Sequence, residues 1–240
     1  MVAHKLKNLE GHFQGPHQWP NTYTPVVNWR NIRSLSLRCY PVELQCLNVP
    51  YLEYLELEEP YMPTNIPRSW GHRGLRFPRL TTMKLTISDA RWLSRVSLPS
   101  LTTLDINALY KYSVESTSFI FRSLSLPTVQ ELTLGPKWND RAVVTALKSV
   151  PNLINLRLMC GLGIDNRRVN ALQCLSSGRL CPRLESLFLG NATCAVYGLK
   201  TNIVPTIKTF IDARKRTNSP FKEVVVCWGV LSQTAEESFI

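Results

Sequence analysis

One nine-residue phrase recurs six times along this chain. At 98–106 it reads Leu98-Pro99-Ser100-Leu101-Thr102-Thr103-Leu104-Asp105-Ile106, or Φ-P-x-L-x-x-L-x-L with Φ apolar. It returns at 49–57 (VPYLEYLEL), 77–85 (FPRLTTMKL), 126–134 (LPTVQELTL), 150–158 (VPNLINLRL) and 181–189 (CPRLESLFL). The prolines are Pro50, Pro78, Pro99, Pro127, Pro151 and Pro182, so the spacing runs 28, 21, 28, 24 and 31 residues. A fixed phrase with a variable spacer implies a stacked array. Each unit then packs only on its neighbours, and extra length falls on the outside.

The phrase has a physical reading. Side chains alternate faces along a strand, so Leu104 and Ile106 point inward together and Asp105 points out. Leu101 fills the turn that brings the chain into the sheet. The proline cannot donate a ladder hydrogen bond and belongs just before the strand. Stacked copies make one parallel sheet. Ile32, Leu35 and Leu37 give the first clear unit, residues 6–9 a worn one, and 221–226 the last strand. Helices are expected at 114–124, at 141–148 behind Asn139 or Asp140, at 166–175 behind Asp165, and at 204–216. In the last of these Ile207, Phe210, Ile211 and Arg214 recur at helical spacing. Ser88 caps a short helix. Residues 58–76 carry Pro60, Pro63, Pro67, Gly71 and Gly74, too many breakers for a helix, and read as an exposed loop. Residues 1–229 form one domain with an irregular start over 1–28, and 230–240 is a polar, frayed tail.

The unit resembles a leucine-rich repeat of the irregular, helix-bearing kind found in ribonuclease-inhibitor-like arrays. The resemblance implies an α/β horseshoe solenoid, with a parallel sheet on the concave side and helices or loops on the convex side. That family continues L-x-x-L-x-L-x-x-N/C; here the last position holds Tyr40, Pro60, Ser88, Leu109, Lys137 and Gly161, so the array is an irregular one. The proline-led phrase, the uneven spacing and the closing FIDARKR…FKEVVVCWG (210–229) resemble the C-terminal repeat region of fungal F-box proteins. That resemblance implies a protein–protein interaction module, the substrate-recognition part of an F-box-like ubiquitin ligase receptor. An adaptor partner is implied only if an F-box, for which no segment is visible here, lies outside this chain. The alternative is a stand-alone scaffold or inhibitor.

Composition bounds the other classes. Lys and Arg number 28 against 17 Asp and Glu, a net charge of +11, which invites nucleic acid or an acidic surface. No long basic run accompanies it; Arg214-Lys215-Arg216 is the densest group. A basic rim at Arg68, His72, Arg73, Arg76 and Arg79 makes nucleic acid the less favoured binding class. The seven cysteines include no C-x-x-C pair and read as reduced, so the chain is expected to be intracellular, cytoplasmic or nuclear. No stretch approaches the ~20 apolar residues of a membrane span. Gly161-Leu162-Gly163 lacks the third glycine of a phosphate-binding turn, since Asn166 stands there. His4, His12 and His17 have no Cys or acidic companions at ligand spacing. No set of residues supplies nucleophile, base and oxyanion donors, so no enzyme, no cofactor and no metal are expected.

What remains is the outward side of the strands. Most of those positions read as solvated. The partner-binding candidates are Tyr54, Glu56, Lys84, Asp105, Thr133, Arg157 and Phe188. Tyr54, Arg157 and Phe188 lead, because aromatic and Arg side chains are enriched at binding hot spots. Phe188 is the least expected residue in a solvated slot, and calls for a partner or for cover from the next loop.

Overall fold

The computed structural model describes residues 7–12, 29–38, 48–59, 74–87, 91–108, 121, 126–136, 138, 140–159, 169–190, 200–217, 219–230 and 233–239. The fold is α/β. The strands are β1 (Asn8–His12), β2 (Ser34–Arg38), β3 (Tyr54–Glu58), β4 (Leu75–Arg76), β5 (Thr82–Ile87), β6 (Val96–Ser97), β7 (Thr103–Ala108), β8 (Glu131–Leu134), β9 (Asn155–Met159), β10 (Ser186–Gly190), β11 (Glu223–Val230) and β12 (Gln233–Phe239). Ten of them form one sheet in the order β1-β2-β3-β5-β7-β8-β9-β10-β11-β12, parallel throughout except for the last pair. β4 and β6 form a separate two-stranded sheet.

The repeated phrase builds this sheet in two steps. First, Φ-P-x-L closes a β-turn. The N–H of Leu52, Leu80, Leu101, Val129, Leu153 and Leu184 each donates to the carbonyl three residues back, at 3.0–3.4 Å. The proline takes the second position of that turn, where its fixed φ is already right. Second, the carbonyl of the residue just before a strand accepts two N–H groups from the next unit. Lys7, Arg33, Glu53, Thr81, Thr102, Gln130, Ile154 and Glu185 all do this, at 2.7–3.2 Å. The turns are thereby tied together along the edge where strands begin, and few backbone groups there lack a partner.

Burial alternates along each strand as expected. The leucine columns are fully buried: Leu35, Leu55, Met83, Leu104, Leu132, Leu156, Leu187 and Val224 in one, Leu37 through Leu158 to Val226 in the other. Leu101 and its equivalents Leu52, Leu80, Leu153 and Leu184 are buried beneath the turns. One continuous core results.

Among the described residues three helices with full bounds stand behind that core: α1 (Asp140–Ser149), α2 (Val169–Ser176) and α3 (Lys200–Arg216). They bury Ala142, Val143, Ala146 and Leu147, then Ala171, Leu172 and Leu175, then Ile207, Phe210, Ile211 and Arg214. α1 packs on α2, and α2 on α3. α3 starts a turn earlier than expected, with Pro205 inside it. Proline's φ suits a helix, but at this position it removes one N–H donor and its ring crowds the carbonyl four residues back. Behind β5 and β7 the return is instead a 3₁₀ turn, Arg91–Arg95, leading into β6. The expected helix at 114–124 lies outside the described residues except for Phe121, which packs edge-on against Trp138 at 5.7 Å. The positions following each repeat (Tyr40, Pro60, Ser88, Leu109, Lys137, Gly161) also lie outside them, as do Arg68, His72 and Arg73.

The C-terminal end corrects the sequence reading. A frayed tail was expected after residue 229, and the last strand was expected to end at 226. β11 runs on to Val230, and Gln233–Phe239 turns back to pair antiparallel along its whole length. The physical reason is the edge. Without β12, eight consecutive residues of β11 would leave a row of unpaired backbone groups, and seven residues of folded-back chain satisfy them.

Candidate functional site

With the leucines buried, the other face of the sheet is left to polar and charged side chains. Parallel pairing without a register shift aligns them in rows. The central row is Ser36, Glu56, Lys84, Asp105, Thr133, Arg157, Phe188 and Val225, each the direct cross-strand partner of the next. Six of the seven candidates, Glu56, Lys84, Asp105, Thr133, Arg157 and Phe188, are thus consecutive in one row crossing β3 to β10. Tyr54 stands in the flanking row, two residues before Glu56 and opposite Thr82.

At the β3 end the row is a hydrogen-bonded polar cluster. The Tyr54 hydroxyl donates to Glu56 Oε2 at 3.0 Å, and Ser36 Oγ donates to the same oxygen at 3.4 Å. Lys84 Nζ lies 5.7 Å from the Tyr54 ring centre. Burial, then the hydrogen bond to Glu56 and its charge, raise the Tyr54 phenol above its ordinary pKa, against a smaller opposing pull from Lys84. Arg38 pairs with Glu58 at 3.7 Å one row further on. Asp105 sits mid-row. Burial raises its pKa above the usual carboxylate value; Lys84 and Arg157 pull it back down, and Glu56 adds a small push upward.

At the β10 end the surface turns apolar. The Arg157 guanidinium lies over the Phe188 ring at 4.9 Å. A side chain on Gly190 would collide with Phe188 Cε1 at 2.6 Å and Met159 Sδ at 2.8 Å, so the glycine makes room for both. Phe188 is therefore half-buried by its own sheet, through Arg157 and the space left at Gly190. Val225 continues this end of the row. It was missed because the outward positions were not carried into the last strand, although the alternation in 221–226 would have located it. Ser36, at the other end, was taken as merely solvated. Glu131 was also passed over. It accepts from Thr103 Oγ1 and Asn155 Nδ2, both at 3.4 Å, and links three strands in the flanking row.

The face is nearly charge-balanced and slightly acidic. Among the described residues Arg38, Lys84 and Arg157 face Glu56, Glu58, Asp105, Glu131 and Glu223. The chain's excess of +11 is therefore carried elsewhere. Such a face can bind an elongated partner carrying both charge signs, with an apolar group reaching the Phe188–Val225 end. No group of three or more His, Cys, Asp or Glu among the described residues could hold a metal ion. No helix among them is long and apolar enough to cross a membrane.

No family model matches the chain, and neither a curated protein nor a solved structure matches it.

Proposed function

We propose that this chain is a protein-recognition module, an irregular leucine-rich-repeat solenoid that reads a partner on the concave face of its sheet. In the fuller form of the proposal it is the substrate-recognition region of an F-box-like ubiquitin ligase receptor. One observation carries the recognition reading: Glu56, Lys84, Asp105, Thr133, Arg157 and Phe188 fall in a single cross-strand row on an open face. Opposite charges placed along such a row favour one partner register and penalise others, which is how charge patterns give specificity. The Arg157–Phe188 pair supplies the residue types enriched at binding hot spots.

A second reading, a stand-alone scaffold or inhibitor, draws on the sheet itself. One core runs from Ile32 to Val226, and β12 covers the edge of β11. An array that closes its own edge can present the row without an adaptor. The two readings part on a simple experiment. A protein captured by the immobilised chain is purified, and its affinity for wild type and for Lys84→Glu/Arg157→Glu is measured by calorimetry. The recognition reading expects a loss of about tenfold or more in affinity, since reversing a contacting charge costs ~1.4 kcal/mol or more. Unchanged affinity would remove the row from the interface. Co-elution of the natural full-length protein with a Skp-type adaptor then separates ligase receptor from scaffold.

A further inference from the structure

Part of the positive charge that the open face lacks lies on the edge where the strands begin. Each of the three helices ends there, and a Φ-P-x-L turn follows α1 and α2. Residues 148–154, 177–185 and 215–222 lead into β9, β10 and β11, three neighbouring strands. In these segments Lys148, Arg179, Arg183, Lys215, Arg216 and Lys222 are basic, and Glu185 is the one acidic residue. All six cations are exposed. Glu185 is tied to Lys222 at 2.5 Å, and Asp212 and Glu223 border the segments, so cations outnumber carboxylates six to three here. At ~4.8 Å per strand the patch is roughly 10–15 Å across.

Part of this charge has a structural cause. α1, α2 and α3 all end on this edge, and a helix C-terminus favours cations by ~0.3–1 kcal/mol. That accounts for Lys148, Lys215 and Arg216, which lie in last turns. It does not account for Arg179 and Arg183, which lie beyond the end of α2. Behind them Arg214 is fully buried at 0% exposure, with no carboxylate bonded to it. It adds a fixed positive charge beneath the patch.

We infer that this edge binds the phosphate backbone of duplex nucleic acid without reading its sequence. The chemistry of the patch selects that partner. Between the cations the exposed side chains are those of Pro151, Ser177, Pro182, Thr217 and Pro220; the apolar Ile154, Leu180 and Phe221 are only half-exposed, the last two packed against the core. Among the described residues the one large apolar side chain classed as exposed is Tyr51 (42%), on the far half of the sheet beneath Arg79. A protein partner would ordinarily require an aromatic or aliphatic anchor at its centre, and base readout requires aromatic platforms or an element that enters a groove. Strand addition is closed off as well. The N–H groups of Ile154, Asn155, Glu185, Ser186, Lys222 and Glu223 already donate to the preceding unit. What the edge offers is closely spaced charge and hydrogen-bond donors, and the ligand that needs only these is a regular polyanion. This inference is independent of the open face and stands or falls without it.

The test is fluorescence anisotropy of the full chain with labelled DNA duplexes of two unrelated sequences, titrated with salt. Wild type is expected to bind both alike, with affinity falling steeply in salt. Arg179→Ala/Arg183→Ala/Lys215→Ala/Arg216→Ala is expected to weaken binding by about tenfold or more at low salt, and to flatten the log–log salt slope by about 0.9 for each lost phosphate contact. Arg183→Ala alone, an exposed change that leaves the core intact, is expected to flatten it by about 0.9 if Arg183 makes one such contact. The inference is overturned if wild type fails to bind either duplex, if its affinity depends on sequence, or if the folded variants keep the wild-type slope. It is also overturned if a polyglutamate peptide of matched charge binds as tightly as the duplex, which would assign the edge to an acidic protein.

Discussion

The unit from β5 to β7 and the unit from β8 to β9 begin with the same phrase and are backed differently. From Pro78 to Pro99 the spacing is 21 residues, and the return is a 3₁₀ turn with the short strand β6. From Pro127 to Pro151 it is 24 residues, and the return is the ten-residue helix α1. Three residues separate the two solutions. The strand side is set by the leucine columns and the double-accepting carbonyls, which are alike in both units. The rear is whatever the spacer can build against those leucines. Leu93 and Val96 do the covering in the first unit, and Ala142, Val143, Ala146 and Leu147 in the second.

If the rear of the helical unit is the more rigid, cavities there should cost more. Leu147→Ala is expected to destabilise the chain by about 3–5 kcal/mol, because α1 is locked between the sheet and α2 and cannot move into the space. Leu93→Ala is expected to cost about 2–3 kcal/mol, since a short 3₁₀ turn can settle inward. Urea unfolding of the two variants gives the order, and a larger loss for Leu93→Ala would break the comparison.

The helical half also holds a fully buried arginine, which the described residues of the other half lack. Arg214 lies within the apolar stripe of α3, beside the contacting rings of Phe210 and Phe221, whose centres are 5.0 Å apart and each about 6.0 Å from its guanidinium carbon. Its Nη2 donates to Cys181 O at 2.9 Å, while Nε and Nη1 find no partner. Burial lowers its pKa from the ordinary guanidinium value. Arg214→Ala should cost about 3 kcal/mol, chiefly through the void, since the Cys181 carbonyl keeps the Leu184 N–H as a partner. Arg214→Met keeps the stem and removes the unpaired donors, so its loss should stay below about 1.5 kcal/mol. Chemical denaturation compares them, and equal losses would mean that the charge rather than the volume matters.

The repeat made the strands, their inward and outward faces and the cross-strand row legible, because a period-2 pattern read six times leaves little freedom of register. Six of the seven candidates fell into one row for that reason. The rear was less legible. The helices expected at 141–148, 166–175 and 204–216 stand at Asp140–Ser149, Val169–Ser176 and Lys200–Arg216, but local pattern did not encode the 3₁₀ turn at Arg91–Arg95 with β6 behind it. The pairing of β12 was invisible because the partner edge of β11, and not the polar composition of 233–239, drives it. The cationic edge was missed because Lys148, Arg183 and Lys222 are far apart in sequence, and only the stacking of three units brings them together.

Cys181 gives a pH signature of the helical half. It takes the Φ position of its unit with φ at +46°, a left-handed conformation that costs a β-branched residue more than it costs cysteine. Its thiol faces the Leu147 and Val150 carbonyls, both at 3.7 Å. Burial pushes its pKa from 9.0 up to about 12, against a smaller downward pull from Arg214. The folded state therefore keeps a proton that the unfolded state releases. Stability from this group is intact below pH 9.0 and falls between there and about 12, by up to about 1.4 kcal/mol per pH unit. The Cys181→Ala variant should show a shallower decline over that window in a pH series of urea melts. Parallel declines would mean that the thiol ionises freely in the fold. No comparable signature is expected from Val49, Phe77, Leu98, Leu126 and Val150, which fill the Φ position of the other units and carry no titratable group.

The smallest expected effect lies on the open face, where the polar β3 end meets the apolar β10 end at Asp105. Its folded pKa is raised by burial. The fold therefore favours the protonated acid, and this contribution is complete below the unfolded pKa and lost as pH rises through the folded one. At neutral pH the ionised carboxylate is held at some cost, offset in part by Lys84 and Arg157. Asp105→Asn removes that cost with little change of shape. At pH 7 it should leave stability equal or raise it by no more than about 0.5 kcal/mol, and near pH 3 the gain should vanish. If the row is what a partner reads, the same substitution should weaken binding while the free chain melts no lower. A marked fall in Tm would instead make Asp105 a structural residue, held by its two cations for the sake of the sheet.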